Sequence, residues 1–137
     1  MAPDDPVADD EPLLRRVLTT QLEWHADFGR HVPALAALSF DPDGLSVSRA
    51  DLLTNAGFEA AALIADRPGL VFRSQAMWWR ERACDVTPDP NDESELGFAH
   101  ALVKPPPGNS KLGRRERTEL AGLMELAAGE PPAPPAP

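Results

Sequence analysis

The sequence predicts an α+β fold: a small, mostly antiparallel sheet of about four or five short strands with two or three helices packed against it. Three observations lead there. Residues 22–28 (LEWHADF) alternate, with Leu22, Trp24, Ala26 and Phe28 on one side and Glu23, His25 and Asp27 on the other, the period of a half-buried strand. Gly69–Phe72 and Phe98–Val103 are short apolar runs, the first opening after a Pro-Gly stop. Helical and extended pieces do not alternate strictly enough for a parallel, doubly wound sheet.

Taken in order, Leu13–Leu18 (LLRRVL) is an apolar patch read as a strand. Gly29 ends the alternating strand that follows. Residues 33–40 (PALAALSF) read as a helical turn or an extended connector. Asp41-Pro-Asp-Gly44 is a turn, with an Asx-forming aspartate, a proline and a glycine for positive φ. Leu45–Ser48 alternates as a short strand. A helix is expected from Ser48 or Thr54 to Asp66, with Leu53, Ala56, Ala60, Leu63 and Ile64 on one face and Ser48 or Thr54 as cap. Arg67-Pro68-Gly69 stops it.

The centre of the chain is Pro68–Pro107, which holds two of the three tryptophans and the only cysteine. After the strand Gly69–Phe72, Ser74 caps a short helix over Gln75–Ala83, with Trp79 on its core face beside Ala76 and Ala83. Cys84–Thr87 is extended up to Pro88-Asp-Pro90. An acidic loop, Asp89–Glu95, leads to the strand Phe98–Val103. Neither face of that strand is polar, so it is expected to be covered on both. After Pro105–Gly108, a final helix over Lys111–Ala128 places Leu120, Leu123, Met124 and Ala127 on one stripe, with Gly129 past its end.

The 137 residues suit one domain. Residues 1–12 hold three prolines and five acids, and 130–137 is mostly proline and alanine. Both read as disordered tails flanking a single domain at 13–129, since neither offers an apolar set to offset ordering entropy. The P-x-x-P spacing in 130–137 is also the kind that docks in aromatic grooves. The formal charge of -9 argues against general nucleic-acid binding. A single cysteine excludes an internal disulfide or a cysteine-rich zinc site. No run is long and apolar enough for a membrane span and the start lacks a signal-peptide pattern, so a cytoplasmic location is the expectation.

The pieces LLRRV, HVPALAALSF, DGLSV, PGLVF, DVTPDP and FAHALV, followed by a basic final helix, resemble a pattern found in small bacterial proteins of no established activity. The resemblance covers residues 13–128. It implies the layout and no chemistry. Gly97-Phe98 and Trp78-Trp79 depart from the pattern.

Candidate site residues fall into two sets. His100, in an apolar strand, suits a core histidine bonded to backbone or to an acid such as Asp85; the same pair suits general acid–base work. Trp78 diverges by about 100° from Trp79 on a helix, which leaves it at a boundary beside Arg80 and Arg82. Aromatic and arginine together compose a contact patch, extended by Arg114 and Arg115. Cys84 near two arginines is either inert core or a reactive thiol. His25, Asp27 and His31 lack the spacing of a metal site, and no metal or cofactor is expected.

Two functions are carried forward. The favoured one is a non-enzymatic protein-interaction module, a small bacterial accessory protein of immunity, antitoxin or defence-operon type acting through a protein partner. The alternative is a small hydrolase or toxin-like enzyme using His100 with a nearby carboxylate. Oligomeric state is left open. The two are told apart by whether His100 lines a cleft beside a carboxylate or is sealed in the core.

Overall fold

The computed structural model describes residues 1–136; Pro137, the last residue of the expected C-terminal tail, lies outside them. The fold is α+β and antiparallel, and its sheet is larger than the sequence predicts. It has eight strands: β1 Pro12–Val17, β2 Leu22–His25, β3 Arg30–Pro33, β4 Leu45–Arg49, β5 Leu70–Gln75, β6 Asp85–Pro88, β7 His100–Lys104 and β8 Glu125–Ala128. Six form one sheet in the order β6-β7-β4-β1-β5-β8, and β2 and β3 pair as a separate hairpin. Three short helices complete it: α1 Ala50–Asn55, α2 Ala76–Arg80 and α3 Arg114–Leu123.

Period two on each strand sends alternate side chains to two faces. Leu13, Val17, Leu45, Val47, Leu70, Phe72, Ala101 and Val103 face one way and meet Trp79, Leu38, Leu112, Leu120 and Met124 in the main core. Leu14 and Val71 face the other way, where Leu52, Leu53, Ala99 and the half-buried Phe58, Leu63 and Ile64 make a smaller cluster.

Three expected helices are shorter than predicted. The helix expected up to Asp66 ends at Asn55. Gly57 takes φ +88, Gly57 N–H donates to Thr54 O at 3.0 Å and Phe58 N–H to Leu53 O at 2.9 Å. That double bond through a left-handed glycine is a Schellman stop, so Ala60–Ile64 forms only a 3-10 turn. Ser48 lies in β4 and caps nothing. The helix expected to Ala83 ends at Arg80, and Ala83 itself takes φ +63. The final helix ends at Leu123, which is 42% exposed, and the chain turns back to pair as β8 along β5. β3 and β8 are the strands the sequence reading missed. Phe98 belongs to a 3-10 turn ahead of β7, not to the strand.

The N-terminal segment corrects the expectation of an acidic tail. Val7 and Glu11 are 3% and 2% exposed, and Glu11 meets the fully buried Arg49. Arg49 Nε donates to Glu11 Oε1 at 2.6 Å and Nη2 to Oε2 at 3.1 Å, while Nη1 reaches the carbonyls of Pro3 and Asp5. Glu11 O and Asp9 O accept the N–H groups of Ala76 and Met77, the first two residues of α2. The arm therefore caps a helix that has no side-chain cap of its own. At the other end residues 130–136 are exposed, and the carbonyl of Ala133 lies 3.4 Å from His31 Nε2.

Candidate functional site

One half of the second sheet face has no cover. Ser46 and Ser48 of β4 and His100, Leu102 and Lys104 of β7 floor an open trough of about 1520 Å³. Phe58 and the 3-10 turn Ala60–Ile64 form one wall, the acidic loop from Asp89 to Gly97 another, and Pro105–Gly108 closes an end. The face is open beyond the point where α1 stops at the Gly57 turn. The expectation that β7 is covered on both faces is corrected: Ala101 and Val103 are buried, while His100 and Leu102 are half-buried on the open side.

His100 sits where β7 begins. Its Nδ1 lies 2.9 Å from Asp89 Oδ2 and 3.1 Å from Asp89 O. Asp89 N–H in turn donates to His100 O at 2.9 Å, so the pair clasps the base of the acidic loop. Inside that loop Asn91 N–H donates to Gly97 O, and Asn91 Oδ1 accepts from Glu93 N–H. The partner expected for His100 is corrected. Asp85 pairs with Lys104, four strand positions from His100 and so about 13 Å away along β7. Asp89 was overlooked because it stands between two prolines in what reads only as a strand stop.

The expected contact patch is partly assembled and largely occupied. Trp78 is half-buried against the main core. Arg80 donates to Asp9 Oδ1 at 2.8 Å and to Val86 O; Arg82 donates to Trp78 O at 2.7 Å and to Glu119 Oε2 at 3.0 Å. Arg115 shares Glu119 at 3.2 Å, with its side chain 88% exposed. Arg114 points elsewhere, into a cavity of about 350 Å³ beside Trp24 and Thr118. Arg82 and Arg115 thus meet at Glu119, and the guanidiniums of Arg80 and Arg82 are engaged within the chain. Trp78→Ala should cost roughly 1.5–2.5 kcal/mol in urea unfolding, about half the cost of removing a fully buried tryptophan.

Burial pushes the Cys84 thiol up to about 11 from its ordinary 9.0, against the smaller opposite pull of Arg82. The thiol is therefore protonated at neutral pH, which suits an inert core cysteine. Folded protein should resist alkylation by iodoacetamide at pH 8 and react fully once unfolded. Because the folded value is the higher, this group adds no pH dependence below about 9.0 and loses stability as pH rises from there toward about 11. Equal alkylation of folded and unfolded chains would contradict the burial.

The hairpin β2–β3 separates the histidines once weighed for metal. Trp24 pairs with His31 and His25 with Arg30, so His25 and His31 lie on opposite faces. His25 stacks on Phe28 at 3.9 Å, and Arg30 donates to the carbonyls of Gly122 and Met124 at the end of α3. Among the described residues no three His, Cys, Asp or Glu side chains gather as metal ligands.

Fold and site together define a small antiparallel α+β protein with an acid-walled trough on its open sheet face. Compared with known proteins, the chain matches no family model, no curated protein and no solved structure. No helix among the described residues is long and apolar enough to cross a membrane.

Proposed function

We propose that the protein is a non-enzymatic binding module whose receptor surface is the trough, and that its partner presents an extended, basic segment. The observation that carries this is the trough's charge. Five carboxylates (Asp43, Asp66, Asp89, Glu93 and Glu95) line it against Arg67 and Lys104. Its volume exceeds the roughly 300–1,000 Å³ of small-molecule pockets, which favours a stretch of polypeptide. An extended segment fits because the floor is made of two paired strands, β4 and β7. Acidic walls raise the association rate of a cationic partner and reject anionic ones. On this reading the protein acts by occupying a partner, as an accessory protein of immunity, antitoxin or defence type does. The role expected of Trp78 and its arginines passes to the trough.

The test uses two fluorescein-labelled peptides of eight residues, alternating Lys-Leu or Glu-Leu, read by anisotropy. The basic peptide should bind and weaken with added salt. The double variant Glu93→Lys, Glu95→Lys should weaken it at least tenfold. Equal binding of both peptides, or binding untouched by the charge reversal, would remove the reading.

A second reading is favoured by one observation: His100 lines the trough beside a carboxylate rather than being sealed in the core. That arrangement suits general acid–base chemistry on a bound ester or amide.

A further inference from the structure

We propose that the trough carries a covalent hydrolytic centre, with Ser48 as nucleophile, His100 as its general base and Asp89 orienting the imidazole. This rests on the second reading above, in place of the non-enzymatic one, and adds the nucleophile.

The register of the sheet makes the juxtaposition. Ser48 of β4 pairs directly with His100 of β7. Directly paired residues on one face of an antiparallel ladder hold their Cβ atoms about 4.5–5.5 Å apart. Both side chains line the trough. Asp89 holds His100 through Nδ1 and leaves Nε2 as the free nitrogen. Neither Ser48 Oγ nor His100 Nε2 is among the side-chain atoms sealed from solvent without a partner. A carboxylate on Nδ1, an open Nε2 and a hydroxyl on the adjoining strand form the acid–base–nucleophile order of acyl transfer. Ser46 supplies an internal control. It faces the same trough two residues away but pairs with Leu102, so it has no base beside it.

The step balances within the site and one water. Ser48 Oγ attacks the carbonyl carbon of an ester or amide, and its proton passes to His100 Nε2. The tetrahedral centre collapses by breaking the bond to the leaving alcohol or amine, which takes that proton. Water then adds to the acyl-serine, with His100 relaying its proton, and releases a carboxylic acid and free Ser48. Asp89 stabilises the imidazolium formed on the way. The acidic walls select a substrate with a basic group beside the scissile bond.

The experiment treats the full chain with a fluorophosphonate probe and reads intact mass and the modified peptide. In parallel it follows release of p-nitrophenol from an Nα-acyl-lysine p-nitrophenyl ester. Wild type should gain one adduct, on Ser48. Ser48→Ala should not label at all. His100→Gln and Asp89→Asn should slow both reactions, His100→Gln by about a hundredfold or more. Circular dichroism confirms that each variant is folded. A folded wild type that takes no adduct, or Ser48→Ala labelling as fast as wild type, would overturn the proposal. Ester release that survives Ser48→Ala but is lost in His100→Gln would also overturn it, while keeping the acid–base reading with water as nucleophile. Ester release equal in wild type and His100→Gln would overturn both.

Discussion

Replacing Glu11 by alanine should lower folding stability by about 3–5 kcal/mol, measured by urea unfolding, because it leaves the buried Arg49 charge without its carboxylate. Both side chains are essentially without solvent contact, at 0% and 1% exposure. The Arg49 guanidinium is otherwise met only by neutral groups of the N-terminal arm: the carbonyls of Pro3, Asp5 and Pro6 and the sulfur of Met1. The penalty is desolvation of an unpaired ion, not loss of a favourable contact. The double replacement Glu11→Leu, Arg49→Met should therefore recover most of the loss, since an apolar pair of similar volume is often neutral or stabilising. Deleting residues 1–10 should also lower the melting temperature, because it removes Val7, those carbonyls and the Asp9 cap on α2 together. An unchanged melting temperature after that deletion, with Glu11→Ala near zero, would show that the arm does not hold Arg49 in solution.

Trp79→Ala should cost a comparable 3–5 kcal/mol or so, the range for a buried aromatic replaced by alanine. Trp79 is 0% exposed and is the largest fully buried side chain. Its Nε1–H donates to Ser74 Oγ at 2.9 Å, and Ser74 is itself 1% exposed. The variant opens a cavity and strips Ser74 of its donor at once. Trp79→Phe fills most of the volume and leaves only the second defect, so it should lose clearly less. Losses from the two variants that agree within error would mean the cavity contributes nothing. The neighbouring Trp78 serves as the comparison, because it is only half-buried.

Several parts of this architecture are legible in the chain itself. Leu45–Val47 is a strand because it alternates at period two, and Leu13–Val17 and Leu70–Phe72 are short runs of aliphatic, β-branched and aromatic side chains that suit a pleated sheet. The Asp41–Gly44 turn is written in its residues, and Gly44 takes φ +121 where any Cβ would lie 2.8 Å from Val103 O. The core role of Trp79 follows from helical spacing alone. Arg49 was readable too, for it continues the buried alternation of Leu45 and Val47. A charge in that position calls for a buried partner, and the search for one leads back to the N-terminal acids.

Partner choice was not legible in the same way. Glu11, Asp5 and Asp9 look alike in an acidic run, and only the β1–β4 register, Leu13↔Arg49, brings Glu11, two residues before Leu13, alongside Arg49. The site has the same origin. Ser48, Asp89 and His100 are far apart in sequence, and no local pattern marks them. The β4–β7 register sets Ser48 beside His100, and the proline-bounded loop swings Asp89 back onto the imidazole. Local propensity and periodicity act over a few residues, so the sequence alone determined the class of fold, most strand positions and the Asp41–Gly44 turn. Which ion meets which, where helices yield to strands and which sheet face stays open depend on long-range pairing, and the tertiary structure alone decided them.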